Sequence, residues 1–202
     1  INSNQASKIK PLISTARVLR RTLTYGLPVT VLIGITLAVL VLENRPDLSV
    51  WHQVNLDQEF TADSKAETFA DYLAIEERVF AQLDEQVYQR TPTGAQERVN
   101  RYARNSMSDP AQWPRNWNRS YELSTPEPKA GILLLHGMSD SPYSLRTLGQ
   151  KLNDDGAWVL GLRYPGHGTA PSGLTTLRWE DMAAAVELAM RQLRQQVGDQ
   201  PV

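Results

Sequence analysis

The residues with the clearest capacity for chemistry lie at the end of an apolar run. Residues 131–138 read Gly-Ile-Leu-Leu-Leu-His-Gly-Met, which predicts a buried strand that stops at a tight turn. Ser141 and Pro142 follow, and this pair is typical of a helix start, with the serine as cap and the proline in the first turn. A strand, a turn with exposed backbone N–H groups and a helix start together suit the binding of a developing negative charge.

The composition argues against several other kinds of chemistry. The chain has no cysteine, which excludes disulfides, zinc–thiolate sites and cysteine nucleophiles. Its three histidines, His52, His136 and His167, do not have the spacing of metal ligands, so we expect no metal site. Nothing in the sequence identifies a cofactor. The net charge of −1 does not favour a nucleic-acid partner.

Strands and helices alternate through residues 120–202. We expect strands at 120–125, 131–136 and 157–163, a helix between the second and third, and the start of a further strand at Pro201-Val202. A second helix should begin after Thr175 or Thr176, and the apolar stripe predicted for it comprises Trp179, Met182, Ala183, Val186, Met190 and Leu193. This order predicts an α/β domain with a mostly parallel sheet and flanking helices.

A membrane anchor is predicted at residues 22–42. This segment has no charged residue, and as a helix its 21 residues would span about 30 Å, the thickness of a bilayer core. Basic residues precede it and acidic residues follow it, which predicts that residues 1–21 are cytoplasmic. We therefore expect a single pass through the inner (cytoplasmic) membrane, with the rest of the chain on the periplasmic or extracytoplasmic side. Two alternatives fit less well. A signal peptide would have a shorter apolar region and a small-x-small cleavage site, whereas Leu-Val-Leu-Glu-Asn ends this segment. A buried core helix would have a polar face, and this segment has none.

Residues 43–119 connect the anchor to the α/β domain. They begin with a polar linker and continue, at about 63–89, with apolar residues at helical spacing, which predicts an amphipathic helix packed on the following domain rather than a lid or partner-binding helix. Arginine alternates with tryptophan in residues 94–120, a pattern found with nucleic acids and lipid head groups. Glu97 and Asp109 dilute that charge, which favours an ordered loop around the domain.

Four short motifs follow one another over roughly the last 70 residues, and as a set they are specific. They read Leu-Leu-Leu-His-Gly-Met at 133–138, Ser-Pro-Tyr-Ser-Leu at 141–145, Leu-Arg-Tyr-Pro-Gly-His-Gly-Thr at 162–169 and Arg-Trp-Glu-Asp at 178–181. With them the chain resembles the α/β-hydrolase superfamily, in particular bacterial membrane-anchored hydrolases related to carboxylesterases and monoacylglycerol lipases.

The resemblance implies that residues 120–202 are the N-terminal part of an α/β-hydrolase domain. It implies a serine hydrolase of carboxylic esters that acts on a small acyl-ester or lipid-like substrate. The backbone N–H of Met138 would be one donor of the oxyanion hole, which stabilises the negative charge formed during acyl transfer. His136 and Gly137 would support the loop that carries this donor.

Two residues resemble catalytic groups but do not fit the order of the family. Residues 137–141, Gly-Met-Ser-Asp-Ser, place Ser139 in a sequence close to Gly-x-Ser-x-Gly, yet the last glycine is missing and the strand is the wrong one. The catalytic histidine of the family follows the nucleophile and the acid, whereas His167 precedes the expected position of the nucleophile. We therefore expect both to be loop residues.

No Gly-x-Ser-x-Gly occurs in the 202 residues. We expect the serine, the acid and the histidine of the triad after Val202, and no esterase activity from this chain alone. Two other functions stay open: a peptide or amide hydrolase of the same fold, and a non-catalytic binding protein that kept the fold.

Overall fold

The computed structural model describes Val18 and residues 20–202. The predicted cytoplasmic segment 1–21 therefore lies almost entirely outside the described residues. The described residues divide into two compact units, one that ends at Asp47 and one that comprises residues 48–202.

The N-terminal unit is one long helix. A π-helical turn, Thr22–Gly26, leads into α1, Leu27–Glu43, which has proline in its first turn. No residue of α1 is buried by the part of the chain that the structure describes. The continuous helix Thr24–Glu43 is long and apolar enough to cross a membrane. It coincides within two residues with the predicted anchor at 22–42.

The second unit contains three strands and four helices, with short 3-10 turns between them. The helices are α2, Val50–Gln53, α3, Phe69–Gln86, α4, Arg146–Asp154, and α5, Trp179–Val197, and the strands are β1, Tyr121–Leu123, β2, Ala130–Leu135, and β3, Ala157–Leu162. The prediction of a mixed α/β architecture is therefore confirmed.

The three strands form one sheet in the order β1-β3-β2. β2 and β3 are parallel, with Leu133 opposite Leu160, and helix α4 connects them. β1 is antiparallel to β3, with Tyr121 opposite Gly161. The parallel pair brings the loops that follow β2 and β3 to the same edge of the sheet.

Helices cover both faces of the sheet. On one face, α4 packs over a cluster that includes Tyr121, Leu134 and Val159. On the other, α5 and α3 pack over Leu160 and Leu162 and form the larger apolar core. The unit therefore has three layers, with β3 in the centre of the sheet.

Helix α3 owes its position to a cap and an apolar stripe. The Thr68 hydroxyl accepts a hydrogen bond from the Asp71 N–H, and the Asp71 carboxylate accepts one from the Thr68 N–H, which satisfies two free amides of the first turn. The buried side of the helix contacts α5. The structure thus places an amphipathic helix within the predicted range 63–89.

The start of α5 was predicted wrongly. Residues Pro171–Thr175 form a 3-10 turn, and α5 begins at Trp179, where the Asp181 carboxylate accepts a hydrogen bond from the Arg178 N–H. The side chain of Trp179 is exposed, and the buried stripe of α5 consists of Asp181, Ala185, Leu188, Ala189, Leu193 and Val197. An acidic cap three residues into the helix decided its start, rather than the threonines upstream.

The outer edge of β2 makes one contact with the end of the chain. The Gly131 N–H donates to the Pro201 carbonyl at 2.8 Å, although residues 201–202 are not assigned to a strand. β2 thus has β3 on one side and a single described hydrogen bond to residues 201–202 on the other.

Candidate functional site

Two loops meet at the carboxyl edge of the parallel strands. Loop 136–141 follows β2, and loop 163–170 follows β3. Ligands of open α/β sheets bind at this edge because the loops that follow the strands converge there. The candidate site therefore consists of these two loops and the side chains that hold them.

The first loop contains a tight turn with a free amide. The Asp140 N–H donates to the Gly137 carbonyl at 3.2 Å, and Ser139 has the left-handed φ of 59° that such a turn requires. Among the residues that the structure describes, none accepts a hydrogen bond from the Met138 N–H. The Met138 side chain is 69% exposed, so the turn is open to solvent. This amide is available to a ligand.

The structure gives no steric reason for glycine at position 137. A Cβ at Gly137 would meet no described atom within 4 Å, and its φ is not positive. The strained backbone of the turn lies two residues later, at Ser139.

His136 anchors this turn from below. The ring is buried, its Nδ1 lies 2.9 Å from the Gly137 carbonyl, and its Nε2 lies 3.1 Å from the Tyr164 amide nitrogen. Because the Tyr164 N–H can only donate, Nε2 accepts and Nδ1 carries the proton. Burial lowers the pKa of His136, and the hydrogen bond from Tyr164 also needs the neutral ring. His136 therefore links the two loops and has no free nitrogen for proton transfer.

His167 is a second buried, neutral imidazole. Its Nδ1 lies 2.9 Å from the Pro165 carbonyl, and burial lowers its pKa. Its Nε2 is buried and has no hydrogen-bond partner among the described residues. The two histidine rings lie 5.1 Å apart between their centroids.

A buried arginine holds the second loop in place. The Arg163 side chain is fully buried and donates to both carboxylate oxygens of Glu59, at 2.8 and 2.9 Å. It also donates to the His167 carbonyl at 3.0 Å. Glu59 in turn accepts from the Gly166 N–H at 2.9 Å. Together with the hydrogen bond that Arg163 donates to the Tyr164 carbonyl at 3.3 Å, the two side chains fix three backbone groups of the loop.

A second carboxylate completes this network from helix α3. The Arg163 Nε donates to Glu76 at 3.0 Å, and Glu76 accepts from both the N–H and the hydroxyl of Ser120. The Ser120 hydroxyl accepts from the Arg163 N–H at 2.9 Å, and the Tyr72 hydroxyl donates to the Arg163 carbonyl. Every polar group of Arg163 therefore has a partner, as a buried ion needs.

The charge of Glu59 is maintained despite its burial. Burial would raise the pKa of this carboxyl, but the Arg163 charge, its hydrogen bonds and the N–H groups of Gly166 and Phe60 hold the pKa below its usual value. Glu59 is thus ionised at neutral pH and neutralises Arg163.

The sequence alone does not predict this network. Glu59 lies in a segment predicted to be a polar linker, and Arg163 lies at the end of a predicted strand. One signal was present, because Glu76 falls on the apolar stripe of α3 between Tyr72 and Val79, where an acid needs a buried partner.

One of three clefts adjoins these two loops. It has a volume of about 200 Å³ and is lined by Ser139, Asp140 and His167. It shares Arg101 with a second cleft, of about 300 Å³, which is lined mainly by residues of the segment 107–118. The third, of about 500 Å³, lies against α3. No group of three or more metal-ligating side chains occurs in the described part of the chain.

Comparison with known proteins gives partial similarity to solved structures. No known protein family matches the sequence. No curated protein matches it either. Among solved structures, the chain is similar to one from a study of LipS and LipT, two metagenome-derived lipolytic enzymes, with 29% identity and a TM-score of 0.37. The similarity covers 40% of this chain and 32% of that protein, so the chain spans about a third of that relative's length.

Proposed function

We propose that this chain forms the oxyanion-binding part of a serine hydrolase of carboxylic esters, which transfers an acyl group to water through an acyl-enzyme. The observation that carries the proposal is the free Met138 N–H at the carboxyl edge of two parallel strands. An amide fixed in that position stabilises the negative charge on a carbonyl oxygen without rearranging during the reaction.

The rigidity of the turn supports this role. His136 fixes the Gly137 carbonyl, and the Arg163 network fixes the loop that holds His136. A preorganised donor is worth more than a mobile one because no free energy is spent on ordering it in the transition state. The motifs at 133–138 and 162–169, which carry the resemblance to hydrolases, include the last residues of β2 and β3 and part of each of these two loops.

The remaining catalytic groups belong to the proposal as well. We place the nucleophilic serine, the acid and the catalytic histidine after Val202, because both His136 and His167 are buried, neutral loop residues. The chain alone would then not hydrolyse esters. The substrate is a small acyl-ester or lipid-like molecule. The helix Thr24–Glu43 anchors the hydrolase to the inner membrane, with the catalytic unit on the extracytoplasmic side.

The decisive experiment removes the backbone N–H group of residue 138. In the full-length protein, Met138→Pro deletes the N–H, whereas Met138→Ala keeps it and removes the exposed side chain. We expect Met138→Pro to lower kcat for p-nitrophenyl butyrate by about 10²- to 10³-fold, the loss typical of one oxyanion donor. Met138→Ala should stay within about threefold of the wild type.

Fluorophosphonate labelling of the full-length protein provides the second measurement. Labelling should occur at a serine after Val202 and should not require Met138. A full-length protein that neither labels nor hydrolyses esters, or a Met138→Pro variant with normal kcat, would refute the proposal. Hydrolysis of anilides at rates above those of matched esters would assign the site to amide cleavage instead.

A further inference from the structure

The cleft of about 300 Å³ differs from the other large cleft in its charges. It is lined by Arg101 and Arg115 together with aromatic and apolar side chains, and its lining contains no carboxylate. In residues 48–202, which the structure describes throughout, neither arginine forms an ion pair. The cleft therefore has an uncompensated positive charge.

The cleft of about 500 Å³ provides the contrast. It also contains two arginines, but Arg104 pairs with Asp84 and Arg119 pairs with Glu77, and all four side chains line the same cleft. The charges of those two arginines are therefore compensated by carboxylates within the cleft. The two arginines of the smaller cleft have no such partners, and a positive cleft with low-dielectric walls concentrates anions.

Arg101 is held in place before any ligand arrives. Its guanidinium donates to the Gly168 carbonyl at 3.1 Å and lies 5.2 Å from the centre of the Tyr102 ring. This hydrogen bond uses only one of the N–H groups of the Arg101 guanidinium, so others remain for an anion. Arg115 is exposed, and its guanidinium lies 5.0 Å from the centre of the Trp117 ring.

Part of the lining suits an apolar chain. Met107, Trp113, Trp117 and Tyr143 line the cleft beside the polar Ser108, Asn116 and Asn118, and Met107 and Trp113 are more than half exposed. A pocket with apolar walls and a few placed charges is typical of amphiphilic ligands. Arg101 also lines the cleft that reaches Ser139, next to the free Met138 amide.

We propose that this cleft binds the anionic group of an amphiphilic ligand, a phosphate or carboxylate joined to a short apolar chain. The inference rests on the proposed function in one respect: in a hydrolase, this ligand would be the substrate, an acyl ester that also carries an anionic group. The anion would bind Arg101 and Arg115, and the chain would lie against Trp113 and Met107.

The test measures binding and needs no catalysis. The full chain in zwitterionic nanodiscs is titrated with hexyl phosphate, with hexanol and with inorganic phosphate, by calorimetry at 50 mM salt. We expect hexyl phosphate to bind at least tenfold more tightly than either of the other two. Its affinity should fall as salt rises to 300 mM, because exposed charges are screened.

Two variants locate the ligand. Arg115→Gln should weaken hexyl phosphate binding at least fivefold, and Arg98→Gln, an exposed arginine of the same segment outside the cleft lining, should change it less than twofold. Equal binding of hexyl phosphate and hexanol, or an unchanged affinity in Arg115→Gln, would overturn the proposal. Inorganic phosphate bound as tightly as hexyl phosphate would refute the amphiphilic ligand.

The outcome is independent of the oxyanion hypothesis. A protein that binds hexyl phosphate at this cleft but does not hydrolyse esters would keep the anion site and refute the hydrolase. A protein that hydrolyses neutral esters but binds hexyl phosphate no more tightly than hexanol would support the hydrolase proposal and refute the anion site.

Discussion

Substitution of Glu59 by glutamine tests whether the segment before α3 is integral to the loop after β3. Arg163 is 0% exposed and Glu59 is 18% exposed, so their bidentate pair is poorly screened by solvent. Breaking a buried pair from one side costs about 3–5 kcal/mol. Glu76 still contacts Arg163 in the variant, which places the expected loss near the lower value, about 3 kcal/mol.

Thermal unfolding of the full chain in detergent micelles measures this loss. All five tryptophans, Trp51, Trp113, Trp117, Trp158 and Trp179, lie in residues 48–202, so their fluorescence reports on that unit alone. A loss of about 3 kcal/mol should lower Tm by about 6–12 °C in a unit of this size.

The matched control is Glu77→Gln on helix α3. Glu77 pairs with Arg119, but its side chain is 69% exposed, and exposed pairs contribute about 0–1 kcal/mol. We expect a change in Tm of less than about 3 °C. Equal effects of Glu59→Gln and Glu77→Gln would refute the view that burial makes the Arg163 network strong.

Two further predictions concern pH and packing. Because the pKa values of His136 and His167 are lowered, the unfolded state binds more protons than the folded state below about pH 6.5. The free energy of unfolding should therefore be highest above that pH. Below it, the free energy should fall by up to about 1.4 kcal/mol per pH unit for each histidine. Urea titrations between pH 7.5 and 5 should show a weaker dependence of the unfolding free energy on pH for His136→Gln than for the wild type. Equal slopes in the two proteins would contradict this account. Gly161→Ala should cost about 1–3 kcal/mol, because its Cβ would lie 2.4 Å from the Tyr121 ring, whereas Gly137→Ala should be nearly neutral. Urea midpoints of both variants check this prediction, and it fails if Gly161→Ala unfolds at the wild-type midpoint.

Local sequence patterns predicted the helices and strands, but they could not predict side-chain pairs between residues that are far apart in the sequence. The apolar stretches at 22–42 and 131–136 and the helical spacing at 63–89 each led to an element close to the one observed, because periodicity is a property of neighbouring residues. Glu59 and Arg163 are 104 positions apart, and only the assembled layers bring them together. The start of α5 was missed for a related reason, because Asp181 both caps the helix and accepts from the distant Ala62 N–H.

The candidate site was predictable in part. The strand, the turn and the position of Met138 follow from the sequence, since strand ends and turns have local signatures. The protonation of His136 does not, because it depends on the Tyr164 amide, which belongs to another loop. The unpaired state of Arg101 and Arg115 is likewise visible only once all carboxylates have been placed.

The hydrogen bond between Tyr164 and His136 has a mechanical consequence. Beyond the last paired residues of β2 and β3, an imidazole takes the place of a backbone carbonyl and adds one more rung to the parallel ladder. The two loops are thereby clamped at their bases, and a displacement of either one must be shared by the other. A ligand that shifts loop 163–170 would thus also move the Met138 amide, so the two loops at this edge of the sheet move together.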